Sequence, residues 1–175
     1  MNYKIPFIRN SYIRFAEQHK EELIGAFWDR LSKGELILRD EVKKFEDTLA
    51  KYTQTKYAIG VGSGTDALVL SVKALGIGPG DEVIVPSHTF ISSIYCIVAN
   101  GAKPILVDVG NDELINPELI VNALTEKTKA ILPVHFHGKI CEMDRIMAIA
   151  NQNKLYVIED AAQALGSTYK GQPAG

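Results

Sequence analysis

Two cysteines, Cys96 and Cys141, are all the thiol chemistry in 175 residues, and no disulfide framework is implied by them. Each sits inside an apolar helical pattern, which suits buried free thiols in a reducing compartment. Basic tracts are absent as well: 19 Lys and Arg stand against 21 Asp and Glu, the formal net charge is -2, and the pI is near 6.1. That balance gives no electrostatic case for a nucleic-acid partner or an anionic membrane surface. Charges interrupt every apolar stretch before it reaches spanning length, and Met1–Asn10 has no continuous apolar core of the secretory kind. The expected location is therefore the cytoplasm. Histidine is limited to His19, His88, His135 and His137, which restricts the ways a metal site can be completed.

What is present is the composition of a globular chain, 46% apolar and 23% charged, long enough for one domain or a large piece of one. Met1–Asn10 is expected to be an extended arm, with Pro6 keeping Ile5 out of helix. Leu23, Ile24, Phe27, Trp28 and Leu31 then fall on one face of a helix that Gly34 can end. Val42, Phe45, Leu49 and Tyr52 do the same after Asp40, and both stripes read as core faces. From Lys56 onward short β-rich runs alternate with amphipathic helices. The strands expected are 57–61, 82–85, 104–107, 130–134 and 155–158, and the helices 65–75, 92–100, 117–124 and 143–151. Asn116-Pro117 has the form of an N-cap followed by Pro, and Gly76 and Gly101 stand where helices should stop. Such alternation specifies an α/β fold, a mostly parallel sheet with helices on both faces. The division expected is an arm with helices over 1–55 and an α/β domain over 56–175.

Four stretches can carry chemistry. Leu155-Tyr-Val-Ile-Glu-Asp-Ala-Ala-Gln163 reads as a buried strand delivering Asp160 to the carboxyl edge of the sheet, where ligands bind and where a carboxylate suits a cation. The plainer role is that Asp160 N-caps a helix starting at Ala161. Gly60-Val-Gly-Ser-Gly-Thr-Asp-Ala-Leu68 joins a β-run to a helix whose first N–H groups, at Thr65 and Asp66, suit a phosphate. It also fits a loose dinucleotide pattern through Gly62, Gly64 and Ala67. The ribose-binding acid of that pattern is missing, because the next strand ends in Val85-Pro-Ser-His88. A simple turn capped by Ser63 or Thr65 remains open. In Pro86-Ser-His-Thr-Phe90 the aromatic can stack on a flat cofactor or pack under the next helix. Pro133-Val-His-Phe-His-Gly138 offers an H-x-H pair, which raises a metal-dependent hydrolase. The default is one histidine near the site and the other exposed, with no metal.

In combination and order, these stretches resemble the DegT/DnrJ/EryC1/StrS aminotransferases. The likeness is carried by the Gly60–Leu68 loop, by Gly78-Pro-Gly-Asp-Glu-Val-Ile-Val-Pro-Ser-His-Thr-Phe-Ile91, by Pro133-Val-His and by Val157-Ile-Glu-Asp-Ala-Ala-Gln-Ala164. It extends from about Ile5-Pro-Phe7 to Gly175. The resemblance implies the large domain of aspartate-aminotransferase type (fold type I), with 56–175 as its first part, and pyridoxal 5'-phosphate as cofactor. It implies amination of a keto group on a nucleotide-linked sugar with glutamate as donor, and a homodimer with sites between subunits. Carried over by residue, Gly64 and Thr65, with Asp66 beside them, hold the cofactor phosphate and Phe90 stacks on the ring. Asp160 pairs with the protonated ring nitrogen and Gln163 bonds the phenolic oxygen. An ionised carboxylate against that nitrogen is what keeps the ring an electron sink.

The match has two departures. The family's Schiff-base lysine follows a further strand, which places it beyond Gly175. Lys170, in the polar turn Tyr169-Lys-Gly-Gln-Pro173, reads as a solvated residue. The expectation is a truncated large domain, inactive by itself. Leu38-Arg-Asp-Glu-Val42 also stands where the family has Gly-Pro before Glu-Val. Sugar dehydratases that carry histidine in place of the lysine, a silent regulatory paralogue and a Rossmann nucleotide-binding module are the competing readings.

Overall fold

Val83, Ile84 and Val85 are all fully buried, a condition met only by a strand covered on both faces. In a computed structural model describing residues 8–34, 36–37 and 39–175, that strand is β1 (Glu82–Pro86), central in a four-stranded parallel sheet. Its neighbours are β2 (Lys103–Val107) and β3 (Thr128–Ile131), and β4 (Tyr156–Val157) pairs beyond β3, giving the order β2-β1-β3-β4. Register runs from Ile84 to Ile105 on one side and to Ile131 on the other. The short β4 is prolonged by a parallel bridge between Val134 and Asp160.

Alternation along the strands sends side chains to opposite faces, and two apolar layers result. Val83, Val85, Ala130 and Leu132 pack with Leu68 and Val72 of α4 (Gly64–Ala74) and with Cys96 and Ile97 of α5 (Ser92–Ala99). Ile84 and Ile131 pack on the other side with Ile120 of α6 (Pro117–Ala123) and with Ile146 and Ala150 of α7 (Met143–Asn153). Helices therefore cover both faces, as the periodicity predicts. Asn116 caps α6 by accepting from Glu118 N–H at 2.9 Å, with Pro117 at the first turn. A two-stranded antiparallel hairpin, β5 (Thr168–Tyr169) and β6 (Gln172–Pro173), closes the described chain and contains the expected polar turn.

The described residues divide into two compact units, one ending at Phe45 and the other running from Glu46 to Gly175. The first contains α1 (Ile8–Gln18), α2 (Lys20–Lys33) and the start of α3 (Asp40–Thr53). α2 stops at Gly34, whose left-handed φ of 67° lets its N–H reach Leu31 O.

Three expectations are corrected. The arm is not extended at its end, because Ile8–Asn10 already belong to α1. Ile5 and Pro6 lie outside the described residues, as does Leu38. Residues 57–61 form no strand, since no strand pairs with them among the described residues; Tyr57 and Ile59 stand 72% and 80% exposed. The helical stripes exist but are not core. Leu23, Ile24, Phe27, Trp28, Leu31, Phe45 and Tyr52 are all exposed, and α2 and α3 contain no buried residue.

Candidate active site

Three loops that follow β1, β3 and β4 meet the first turn of α4 and enclose a cavity of about 260 Å3 at the carboxyl edge of the sheet. Of the six residues singled out in the sequence, Gly64, Thr65, Phe90, Asp160 and Gln163 line it, and Asp66 does not.

The α4 end is built by a reciprocal cap. Ser63 Oγ accepts from Asp66 N–H at 3.1 Å and donates to Asp66 Oδ2 at 3.0 Å. Asp66 N–H is thus already used, so the expectation that it stands free for a phosphate is corrected; Gly64 and Thr65 begin the helix and have no intrahelical acceptor for their N–H groups. A Cβ at Gly62 would come 2.7 Å from Asp66 Oδ2, so a side chain there would displace the carboxylate that closes this cap. Thr65 Oγ1 lies 2.7 Å from Ser92 Oγ, which ties the first turns of α4 and α5 together at the cavity.

Asp160 caps no helix, since none starts at Ala161. Its Oδ1 accepts from Ala162 N–H at 3.3 Å and closes a turn instead. Its backbone is held from both directions, by Asp160 N–H to Pro133 O at 2.9 Å and His135 N–H to Asp160 O at 3.0 Å. Its Oδ2 accepts from Ser93 Oγ at 2.7 Å, and Ser93 has no exposed surface. Phe90 is 67% exposed at the cavity, so it is not packed under α5. Gln163 Oε1 accepts from His137 N–H at 2.8 Å, which leaves the amide NH2 as its remaining donor.

The histidines of the H-x-H motif diverge. His135 is fully buried, with Nδ1 accepting from Cys141 N–H at 3.3 Å and Nε2 set 2.8 Å from Glu159 Oε2. The Cys141 bond makes Nε2 the protonated nitrogen, donating to Glu159. That bond holds the Glu159 carboxyl below its ordinary range. His137 is exposed, its Nε2 3.4 Å from Glu113 Oε2. Among the described residues no cluster of three or more His, Cys, Asp or Glu is placed to hold a metal. Burial raises the Cys96 thiol to about 11 and Cys141 to about 12, so both stay protonated and inert at neutral pH.

No lysine lines the cavity among the described residues. Lys170 is exposed at the surface, as expected, and its Nζ lies 2.7 Å from Asp144 Oδ2. Sequence reasoning missed Thr89, Ser92 and Ser93. The signal available was two adjacent serines opening an otherwise apolar helix, both buried.

A parallel α/β sheet with a phosphate-type helix start, an exposed aromatic and an anchored carboxylate at one edge defines the large domain of an aspartate-aminotransferase-type protein. Residues 17–175 match the DegT/DnrJ/EryC1/StrS aminotransferase family, and the chain belongs to it. It is 43% identical over 160 residues to dTDP-3-amino-3,4,6-trideoxy-alpha-D-glucose transaminase of Streptomyces venezuelae, covering 91% of this chain and 42% of the relative. The crystal structure of S. venezuelae DesV superposes with a TM-score of 0.91 at 42% identity, covering 93% of this chain and 44% of DesV. The PLP form of the sugar aminotransferase Spr1654 of Streptococcus pneumoniae gives 0.82 at 37% identity, covering 87% and 43%. The chain thus spans less than half the length of these relatives.

Proposed function

We propose that this chain supplies the cofactor cradle of a pyridoxal-phosphate aminotransferase that acts on a nucleotide-linked keto sugar, with glutamate as amino donor, in a cytoplasmic homodimer. Residues 56–175 are read as the first part of its large domain and 1–55 as arm and helices. The observation that carries the reading is the single cavity into which Asp160, Phe90, Thr65 and Gln163 converge. The relatives' names supply the sugar-nucleotide chemistry.

Bound pyridoxal phosphate supplies an electron sink whose strength depends on a protonated ring nitrogen. The chain's own groups are arranged to hold such a molecule. Gly64 and Thr65 present N–H groups and a helix dipole to the phosphate, while Asp66 shapes the turn beneath them through Ser63. Phe90 offers its exposed face to the ring. Asp160 would hold the ring N–H+ with a carboxylate fixed by Ser93, and Gln163 would donate its NH2 to the phenolic oxygen, its carbonyl being taken by His137. The same groups suit a nicotinamide dinucleotide poorly, since no acid stands at the end of β1 for a ribose.

These residues hold no lysine at the cavity, so by themselves they are proposed to bind the cofactor without transaminating. The test is a binding competition. Pyridoxal phosphate should bind saturably and resist displacement by NAD; retention of NAD with no affinity for pyridoxal phosphate would replace this reading with a nucleotide-binding one.

A further inference from the structure

Ser93 occupies the second position of α5, has no exposed surface, and yet carries a hydroxyl on a helix whose Cys96 and Ile97 belong to the apolar core. Its Oγ lies 2.7 Å from Asp160 Oδ2 and 2.9 Å from Thr89 Oγ1. Thr89 in turn lines the cavity. A buried hydroxyl is costly unless bonded, and this one is bonded at both ends.

The direction of the bonds follows from charge. An ionised carboxylate only accepts, so Ser93 gives its one proton to Asp160. The contact with Thr89 then requires Thr89 to donate to Ser93, and the Thr89 proton is committed as well. What remains on Thr89 Oγ1 is lone-pair capacity beside the cavity. The chain Thr89→Ser93→Asp160 therefore offers acceptors to a ligand and has no spare hydroxyl proton.

We infer that Ser93 is the positioning residue that sets the Asp160 carboxylate for a cationic N–H, and that the Thr89–Ser93 relay selects a protonated ring nitrogen over an isosteric ring without one. The inference rests on the cofactor reading above and assigns that reading's selectivity to residues outside the six first singled out. Ser93 acts through Asp160 and does not itself touch the ligand.

The discriminating experiment compares two ligands on the protein expressed from its complete reading frame: pyridoxal phosphate, and its analogue with the ring nitrogen replaced by carbon. Ser93→Ala should weaken pyridoxal phosphate by about tenfold, the scale of coupling within one hydrogen-bond network, because the Asp160 carboxylate is no longer held in place, and leave the analogue's affinity unchanged. Thr89→Ala should act in the same direction by a smaller factor, and it carries the comparison should Ser93→Ala fail to fold. Ser93→Thr, which keeps the hydroxyl, should restore the preference. Equal loss for both ligands, or no loss for either, would overturn the relay while leaving the cofactor assignment standing. A wild-type protein that binds neither ligand would overturn the cofactor reading, and the relay with it.

Discussion

Phe90 stands out among the cavity residues because it is large, apolar and two-thirds exposed, an arrangement that leaves its ring face available. Core packing does not account for it, so Phe90→Ala should weaken pyridoxal phosphate binding by about fivefold to tenfold, the scale of one aromatic stacking contact. The thermal midpoint should stay where it is. A variant with unchanged affinity would reduce Phe90 to an incidental surface residue. Asp160 presents the opposite case, since its position is set on all sides: by Pro133 and His135 along the backbone, and by Ser93 and Ala162 at the carboxylate. Its neighbour Glu159 bonds the buried His135 instead, so the two successive acids after β4 serve different partners.

At the scale of elements, β1 carries the most weight because its side chains feed both apolar layers. Ile84 is fully buried against α6 and α7 residues, so Ile84→Ala should cost about 2–5 kcal/mol in denaturant unfolding. A cost below about 1 kcal/mol would mean the site collapses around the deletion or was never tightly packed. The β5–β6 hairpin depends on charge instead. Lys170 and Tyr169 both bond the Asp144 carboxylate of α7, and these bonds lower its pKa from 3.8 to about 2. A carboxylate depressed in the folded state stabilises the fold fully above its unfolded value and loses that contribution as pH falls toward the folded one. The hairpin should therefore loosen from α7 as pH drops from 3.8 to about 2, seen as faster amide exchange at Thr168–Gln172. Asp144→Asn should abolish that pH dependence; a hairpin with the same acid profile in both proteins would refute the assignment.

Across the whole molecule, the legible parts were those whose signals are satisfied within the chain. The β/α alternation from Glu82 onward is readable because each apolar run finds its ladder partner and its covering helix among the same residues. Residues 57–61 have the composition of a strand but no strand to pair with among the described residues, and composition alone does not report that difference. The stripe from Leu23 to Leu31 correctly marks a helix, but periodicity cannot say whether anything in the chain covers it. Within the site, Gly64, Thr65, Phe90, Asp160 and Gln163 were visible as parts of loops with recognisable order. Thr89 and Ser93 were not, because their meaning lies in a contact across 67 residues between Ser93 and Asp160. His137 likewise matters through its backbone N–H, which no side-chain pattern announces.

The central claim is that the cavity at the carboxyl edge of the sheet holds pyridoxal phosphate through an ion pair to Asp160. Its most direct test is an absorbance titration of the cofactor into the wild-type protein and into Asp160→Asn. The account predicts saturable binding by the wild type and a loss of at least about tenfold in the variant, the cost of removing a charge from a bonded pair. Unchanged binding in Asp160→Asn, with the fold intact, would contradict it.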